Sequence, residues 1–121
     1  MHRGREEYTV LGNSLAILAR VVCGDEAKSL CDKIINGDMI DCSLSMKVLE
    51  YDALLMTDRE EYADFVLSET RSNYKKMLDY GSDTVWETLD GASAFGNAGS
   101  LCHGWSAVPV YIFHKLNVAK C

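Results

Sequence analysis

Apolar residues recur at helical spacing along most of this chain, and this periodicity constrains the fold more than any other feature. In the first such stretch, Leu11, Leu15, Leu18 and Val22 follow one another at intervals of three or four residues. That spacing places side chains on one face of an α-helix. No Asn-Gly or Asp-Gly pair lies between alternating apolar runs, as a β-hairpin would require. We therefore predict an all-α chain with about five helices, at residues 9–23, 25–36, 43–56, 58–79 and 100–117.

Residues that favour helix ends stand at the predicted boundaries. Side chains that accept hydrogen bonds from unpaired amides mark the starts, namely Asp25, Ser43, Asp58 and Ser100. Glycines, which adopt the left-handed conformation without strain, follow the predicted ends, namely Gly24, Gly37 and Gly81. Pro109, the only proline, falls inside the fifth predicted helix. We expect it to kink that helix, because proline removes one backbone hydrogen bond and clashes with the preceding turn.

Charged residues are distributed unevenly among the predicted helices. The first carries only Arg20, and the fifth carries only Lys115 besides its histidines, whereas the second and fourth are heavily charged. Helices that are apolar all round are buried, and half-polar helices face water. We therefore expect helices one, three and five to lie inside and helices two and four outside. This alternation is typical of an (α/α) toroid, here a partial one; a plain helical bundle is the alternative.

Length and composition limit the class of function. With 121 residues, the chain is expected to form a single domain, residues 1–121. Its net charge of −6 argues against nucleic acid or anionic membrane as a partner, because both bind basic surfaces. No apolar run approaches the roughly 20 residues that span a bilayer. Five cysteines without paired spacing, and an N-terminus unlike a signal peptide, predict reduced thiols in a cytoplasmic protein without metal or cofactor.

The segment 85–111 carries the residues that suggest chemistry. A carboxylate beside an indole is followed by a loop of small residues and then by an imidazole and a second indole; the four residues are Trp86, Glu87, His103 and Trp105. Carboxylates and aromatic rings gathered at a loop are typical of carbohydrate sites. The loop's glycines have no phosphate-binding lysine and no preceding strand, so a nucleotide site is not expected.

The motifs of this segment resemble the C-terminal part of the (α/α)6 catalytic barrel of bacterial family 78 glycoside hydrolases. These enzymes are the α-L-rhamnosidases, which belong to the six-hairpin glycosidases. The matching motifs are Thr84-Val85-Trp86-Glu87 and Ser100-Leu101-Cys102-His103-Gly104-Trp105-Ser106. Weaker similarity extends back through Ser45-Met46, Tyr51-Asp52-Ala53-Leu54-Leu55 and Gly12-Asn13-Ser14-Leu15-Ala16. The resemblance spans almost the whole chain but only the last portion of the family's domain.

The resemblance implies that Glu87 is the catalytic general base, which deprotonates the water that attacks the anomeric carbon. Trp86 would limit solvent access and offer a face for sugar stacking. The alternative is that Glu87 is an ordinary carboxylate of a loop or first helical turn and that Trp86 packs in the core. Inverting glycosidases also need a protonated carboxyl group, roughly 6.5–9.5 Å from the base. In the family this acid lies in an upstream segment that has no counterpart here. We therefore expect the chain alone to be inactive.

His103 and Trp105 follow in the fifth predicted helix. The resemblance places His103 at a position that contacts substrate; a satisfied core histidine is the alternative. Trp105 shares an apolar helical face with Leu101 and Val108, which favours core packing over substrate contact. A Cys102–His103 nucleophile pair is disfavoured, because adjacent helical residues point about 100° apart. A zinc site also lacks paired ligand spacing; its candidate ligands are Cys23, Cys31, Cys102 and His103.

These observations predict a truncated or partial α-L-rhamnosidase-like domain that retains the general-base side of the site and binds a rhamnoside-like carbohydrate. The alternative is a non-catalytic helical module for self-association or sugar binding. Helices one, three and five would leave an apolar side uncovered, beyond the few hundred Å² that soluble monomers usually expose. We therefore expect a homo-oligomer, or a partner chain that supplies the complementary half of the barrel.

Overall fold

The computed structural model describes residues 8–97 and 99–117, without the side chain of Phe95. These residues form an all-α fold, as predicted, and their only strand-like pairing is an isolated parallel bridge between Thr9 and Ile40. The helices are α1 (Val10–Leu18), α2 (Gly24–Ile35), α3 (Lys47–Thr57), α4 (Arg59–Asp79), the single turn α5 (Ala94–Asn97) and α6 (Val108–Lys115). Short 3-10 turns occupy Leu44–Met46, Gly91–Ser93 and Gly104–Ser106.

Local capping explains where several helices begin and end. Asp58 caps α4 as predicted, because its carboxylate accepts a hydrogen bond from the amide of Glu61 at 3.2 Å. The start predicted at Asp25 is one residue late, so that carboxylate lies in the first turn of α2. Gly37 and Gly81 follow α2 and α4 with φ values of 78° and 87°. Both glycines confirm the predicted helix ends, since other residues are strained in this conformation.

Helix α3 lies at the centre of the hydrophobic core. Its Tyr51, Ala53 and Leu54 are at most 1% exposed, and it packs against α1, α2, α4 and α6. The same cluster contains buried residues from all four neighbours: Ile17, Ala27, Cys31, Tyr62, Val66, Val108 and Ile112. Helix α3 is therefore an inner helix, as predicted. The alternation of inner and outer helices in a toroid stays a prediction.

Helices α1 and α6 each bury one face and expose apolar residues on another. Leu15 of α1 is 47% exposed, and Val110 of α6 is 75% exposed. The two helices are thus not buried on all sides. Single exposed apolar residues are also ordinary on monomers, so oligomerisation stays a prediction.

An ion cluster is buried at the start of α3. Lys47 and Glu50 are 4% and 2% exposed. The Lys47 ammonium lies 2.6 Å from Asp41, 2.8 Å from Glu50 and 2.9 Å from Glu69. Burial lowers the pKa of Lys47, but the hydrogen bonds to these carboxylates outweigh it, so the net direction is upward. Burial raises the pKa of Glu50, and Lys47 opposes that shift. Each ammonium hydrogen thus has a partner, which offsets its desolvation.

The fifth predicted helix is wrong over its first half. Helix α6 begins at Val108, and the residues before it form a loop and a 3-10 turn. Ser100 does not begin a helix; its carbonyl accepts a hydrogen bond from the amide of Glu87 at 2.9 Å. Pro109 lies in the first turn of α6. Amides in a first turn have no intrahelical partner, so Pro109 starts the helix and does not kink it.

The sequence also predicts that no segment spans a membrane and that the cysteines are reduced. Within the described residues, no helix is both long and apolar enough to cross a membrane. The cysteines in the described ranges are free thiols: Cys23, Cys31, Cys42 and Cys102. Cys121 lies outside those ranges.

Candidate functional site

Two loop segments pair through their main chains at the candidate site. The amide of Glu87 donates to the carbonyl of Ser100 at 2.9 Å, and the amide of His103 donates to the carbonyl of Val85 at 2.8 Å. The Thr84 hydroxyl adds a hydrogen bond to the carbonyl of Leu101. The two motifs that carry the family resemblance are therefore neighbours in space, although a loop of more than ten residues separates them in sequence.

The loop holds the Glu87 carboxylate in place. Glu87 is half-buried, and its Oε2 atom accepts a hydrogen bond from the Ser100 amide at 3.3 Å. Ser100 thus binds both the main chain and the side chain of Glu87. An ionised carboxylate has about four acceptor positions, so one amide contact leaves capacity for a water or a sugar hydroxyl. The arrangement can serve proton abstraction or hydrogen bonding.

Trp86 has a structural role. It is only 4% exposed and packs in a second core cluster with Leu44 and Met77. Its ring meets Tyr80 edge to face at a centroid distance of 5.2 Å, and its Nε1 donates to the Ser82 hydroxyl at 3.2 Å. A sugar stacks on an open ring face, which Trp86 lacks. The stacking role therefore has to be corrected to core packing, the alternative that the sequence left open.

His103 and Trp105 lie in a turn, and the core position expected for Trp105 is wrong. Trp105 is 78% exposed, and its ring lies 6.2 Å from the half-buried His103 ring, at an interplanar angle of 66°. Because the segment 104–106 is a 3-10 turn, Leu101, Trp105 and Val108 do not share the helical face inferred from their spacing. The exposed indole and the neighbouring imidazole are both accessible to a ligand.

Sequence reasoning missed Tyr74, which anchors this turn. Its hydroxyl donates a hydrogen bond to the carbonyl of Ser106, and Ser106 itself is fully buried. Burial raises the pKa of Tyr74 to about 12. This contact ties α4 to the turn that presents His103 and Trp105. The partners are 32 residues apart, so helical periodicity carries no signal of it.

The described residues contain one group of potential metal ligands, and it differs from the zinc set considered from sequence. Asp41, Cys42 and Glu50 offer ligand atoms within 4.8 Å of one another. The Lys47 ammonium already binds both carboxylates, and burial, followed by the charge of Glu50, raises the pKa of the Cys42 thiol to about 12. A neutral thiol and a lysine-bound carboxylate pair are poor ligands, because metal binding requires a thiolate and free carboxylate oxygens.

Comparison with known proteins identifies no relative. The chain matches no protein-family model, no curated protein and no solved structure. The similarity to α-L-rhamnosidases therefore stays a prediction that rests on the motifs at Thr84–Glu87 and Ser100–Ser106.

Proposed function

We propose that this chain is a partial α-L-rhamnosidase-like domain that binds a rhamnoside-like sugar and does not hydrolyse glycosides on its own. The sugar-binding face comprises Glu87, His103 and Trp105. One observation carries the proposal: the exposed Trp105 indole stands beside His103 on a turn, and the segment preceding that turn is paired through its main chain with the Glu87 segment.

The three side chains offer complementary contacts to a sugar. The indole provides a flat apolar surface, and the imidazole and carboxylate provide hydrogen-bonding groups for hydroxyls. As a general base, Glu87 removes a proton from the attacking water. The reaction needs a second carboxyl group as the general acid, and we assign that group to another polypeptide.

The partner that supplies the acid in this proposal is a complementary barrel half; self-association into a homo-oligomer is a second way to cover the apolar surface and supplies no acid. Apolar residues exposed at and after the turn support it, since Trp105 and Val110 are each at least 75% exposed. We place the assembly in the cytoplasm, where thiols such as Cys23 and Cys102 stay reduced. A non-catalytic module for sugar binding or self-association is the alternative, and the same exposed indole favours it.

The sugar-binding face can be tested through the two indole N–H signals in a ¹⁵N-correlation NMR spectrum. The chain has two tryptophans, so the signal lost in Trp105→Phe identifies Trp105. Titration with methyl α-L-rhamnopyranoside is expected to shift that signal saturably. Glu87→Gln, which removes the charge at constant size, is expected to weaken binding several-fold. A Trp105 signal that does not move with the glycoside would refute the proposed site.

Hydrolysis forms a separate arm of the test. The purified chain is expected to release no product from aryl α-L-rhamnosides, because a general acid typically contributes about 10²–10⁴-fold in rate. Turnover that disappears in Glu87→Gln would show that the chain supplies its own acid and that the inactivity claim is wrong. If the partner claim is right, a polypeptide that supplies the complementary half of the barrel should produce turnover when it is added to the chain.

A further inference from the structure

A pocket lies between the C-terminal end of α4 and the loop that leads to α5. Its volume is about 460 Å³, within the range of small-molecule sites, about 300–1,000 Å³. Aromatic and polar side chains line it together: Lys76, Tyr80, Trp86, Asp90, Ser93 and Asn97. Glu87, His103 and Trp105 are not among the lining residues, so the pocket is distinct from the site proposed above.

Tyr80 gives this pocket an aromatic surface that a ligand can reach. It immediately follows α4 and is 67% exposed. Trp86 supports it through the edge-to-face contact, with ring planes at 83°. An exposed phenol held against a buried indole is therefore suited to stack on the apolar face of a ligand ring.

Hydrogen bonds hold the loop side of the pocket in position. The Lys76 ammonium donates to the carbonyl of Leu89 at 2.6 Å and so ties α4 to the loop. The Ser93 hydroxyl donates to the carbonyl of Asp90 at 2.7 Å. These contacts form the pocket in advance, which lowers the entropy cost of binding. Lys76 and Asp90 carry opposite charges, which favours a neutral ligand over a phosphate or a carboxylate.

Gly91 brings the loop backbone directly onto Trp86. Its φ is +58°, and a Cβ atom at this position would lie 3.1 Å from two carbons of the indole ring. Only glycine combines this conformation with such a close approach. The Trp86 ring therefore packs against Gly91, and both residues line the pocket, so the indole N–H signal of Trp86 can report on ligand binding there.

We infer that this pocket is a second carbohydrate site, which binds a neutral pyranose. Tyr80 stacks on the sugar ring, and the side chains of Ser93 and Asn97 hydrogen-bond its hydroxyls. Sugars combine an apolar ring face with a rim of hydroxyls, and the pocket presents the matching combination. The inference does not depend on the role of Glu87. The residues proposed to bind sugar in this pocket are different from those of the first site, which are Glu87, His103 and Trp105.

The two indole signals separate this site from the first. Methyl α-L-rhamnopyranoside and methyl α-D-glucopyranoside are titrated separately into the full chain, and the Trp86 indole signal is followed. We expect at least one glycoside to shift that signal saturably. Tyr80→Ala should then raise the Kd roughly tenfold, the effect of losing one good aromatic contact. Asn97→Gly should also weaken binding, and glycine readily adopts the φ of 72° found at Asn97.

Leu78→Ala is the matched control, because Leu78 is 72% exposed near the same helix end and does not line the pocket. Its Kd should stay within twofold of the unmodified chain. The inference is overturned if neither glycoside moves the Trp86 signal, or if Tyr80→Ala and Asn97→Gly bind as the unmodified chain does. Inorganic phosphate that saturates the signal would refute a neutral ligand. A shift of the Trp105 signal alone supports the first site and rejects this one.

Discussion

Replacing Lys47 with methionine should destabilise the fold strongly, and the loss should depend on pH. Methionine keeps an unbranched apolar side chain but removes the ammonium that lies 2.6–2.9 Å from three carboxylates. Asp41 is largely exposed and Glu69 partly so, whereas Glu50 is buried. The variant therefore leaves one carboxylate, that of Glu50, without water and without its cation.

The size of this destabilisation follows from the two states open to the Glu50 carboxylate in the variant. It can stay ionised and unpaired, or it can bind a proton. Binding a proton at pH 7 costs about 3.7 kcal/mol, since each pH unit above an ordinary glutamate pKa of about 4.3 costs about 1.36 kcal/mol. At pH 5 the same step costs about 1 kcal/mol. We expect the free energy of unfolding to fall by about 3–4 kcal/mol at pH 7, in line with other broken buried pairs.

The sign of the pH dependence also follows from Glu50. Burial raises its pKa already in the unmodified protein, and loss of Lys47 removes the group that opposes this shift. The folded variant then binds more protons than the unfolded chain above about pH 4.3. Its stability must decrease as the pH rises from that value towards neutrality. The loss at pH 5 should therefore be smaller than the loss at pH 7.

Urea unfolding followed by circular dichroism at both pH values measures the effect. The matched control is Lys75→Met, because Lys75 pairs with Asp79 at 2.5 Å while both side chains are more than half exposed. We expect it to change stability by at most about 0.5 kcal/mol. Lys47→Met combined with Glu50→Met should recover most of the loss, since no buried charge is left unpaired. An equal loss in Lys47→Met and Lys75→Met, or a loss independent of pH, would refute the reasoning.

Three further predictions concern the buried phenols, the thiols and Pro109. Burial raises the pKa of the phenols of Tyr51, Tyr62 and Tyr74, so stability should be lost as the pH rises above about 10. Part of the rise in absorbance at 295 nm should coincide with the loss of helical circular dichroism; a rise that is complete before that loss would contradict this. An aromatic disulfide reagent should modify the exposed thiols of Cys23 and Cys102 in the folded chain and reach those of Cys31 and Cys42 only in urea. Pro109→Ala should lower stability in urea titrations by only about 0.4–1 kcal/mol, because Pro109 starts a helix; a loss of several kcal/mol would contradict this.

The helices that periodicity predicts well are those whose ends are set by nearby residues. Helix α4 is predicted at residues 58–79 and found at Arg59–Asp79. Asp58 caps it three residues from the amide that it binds, and Gly81 follows it in the left-handed conformation. Helix α2 is predicted within one residue at each end. Signals of this kind act within one turn of helix, so a single sequence contains them.

The fifth predicted helix failed because its first half bonds to a distant segment. The carbonyl of Ser100 and the amide of His103 pair with residues 87 and 85, and those bonds replace the i to i−4 bonds of a helix. Gly104 lowers the helical preference of the same stretch. Apolar residues at a spacing of three and four remain there, but without helical backbone they share no face. The spacing of apolar residues is a local pattern, so it does not show that a distant segment will take the backbone hydrogen bonds that a helix needs.

The ion cluster and the two tryptophans show that a sequence pattern does not predict which side chains are buried. Lys47 and Glu50 are charged residues inside the predicted third helix, and their sequence pattern shows polarity but not burial. The Lys47 ammonium is paired with Asp41 and Glu69 from other parts of the chain. Trp86 and Trp105 belong to the two motifs that pair through their main chains, yet one is 4% and the other 78% exposed. A motif predicts which residues form a site, whereas packing decides which of their side chains are exposed. The half-buried Glu87 stands next to Trp86, which packs in the core and anchors the loop, whereas Trp105 is exposed on its turn.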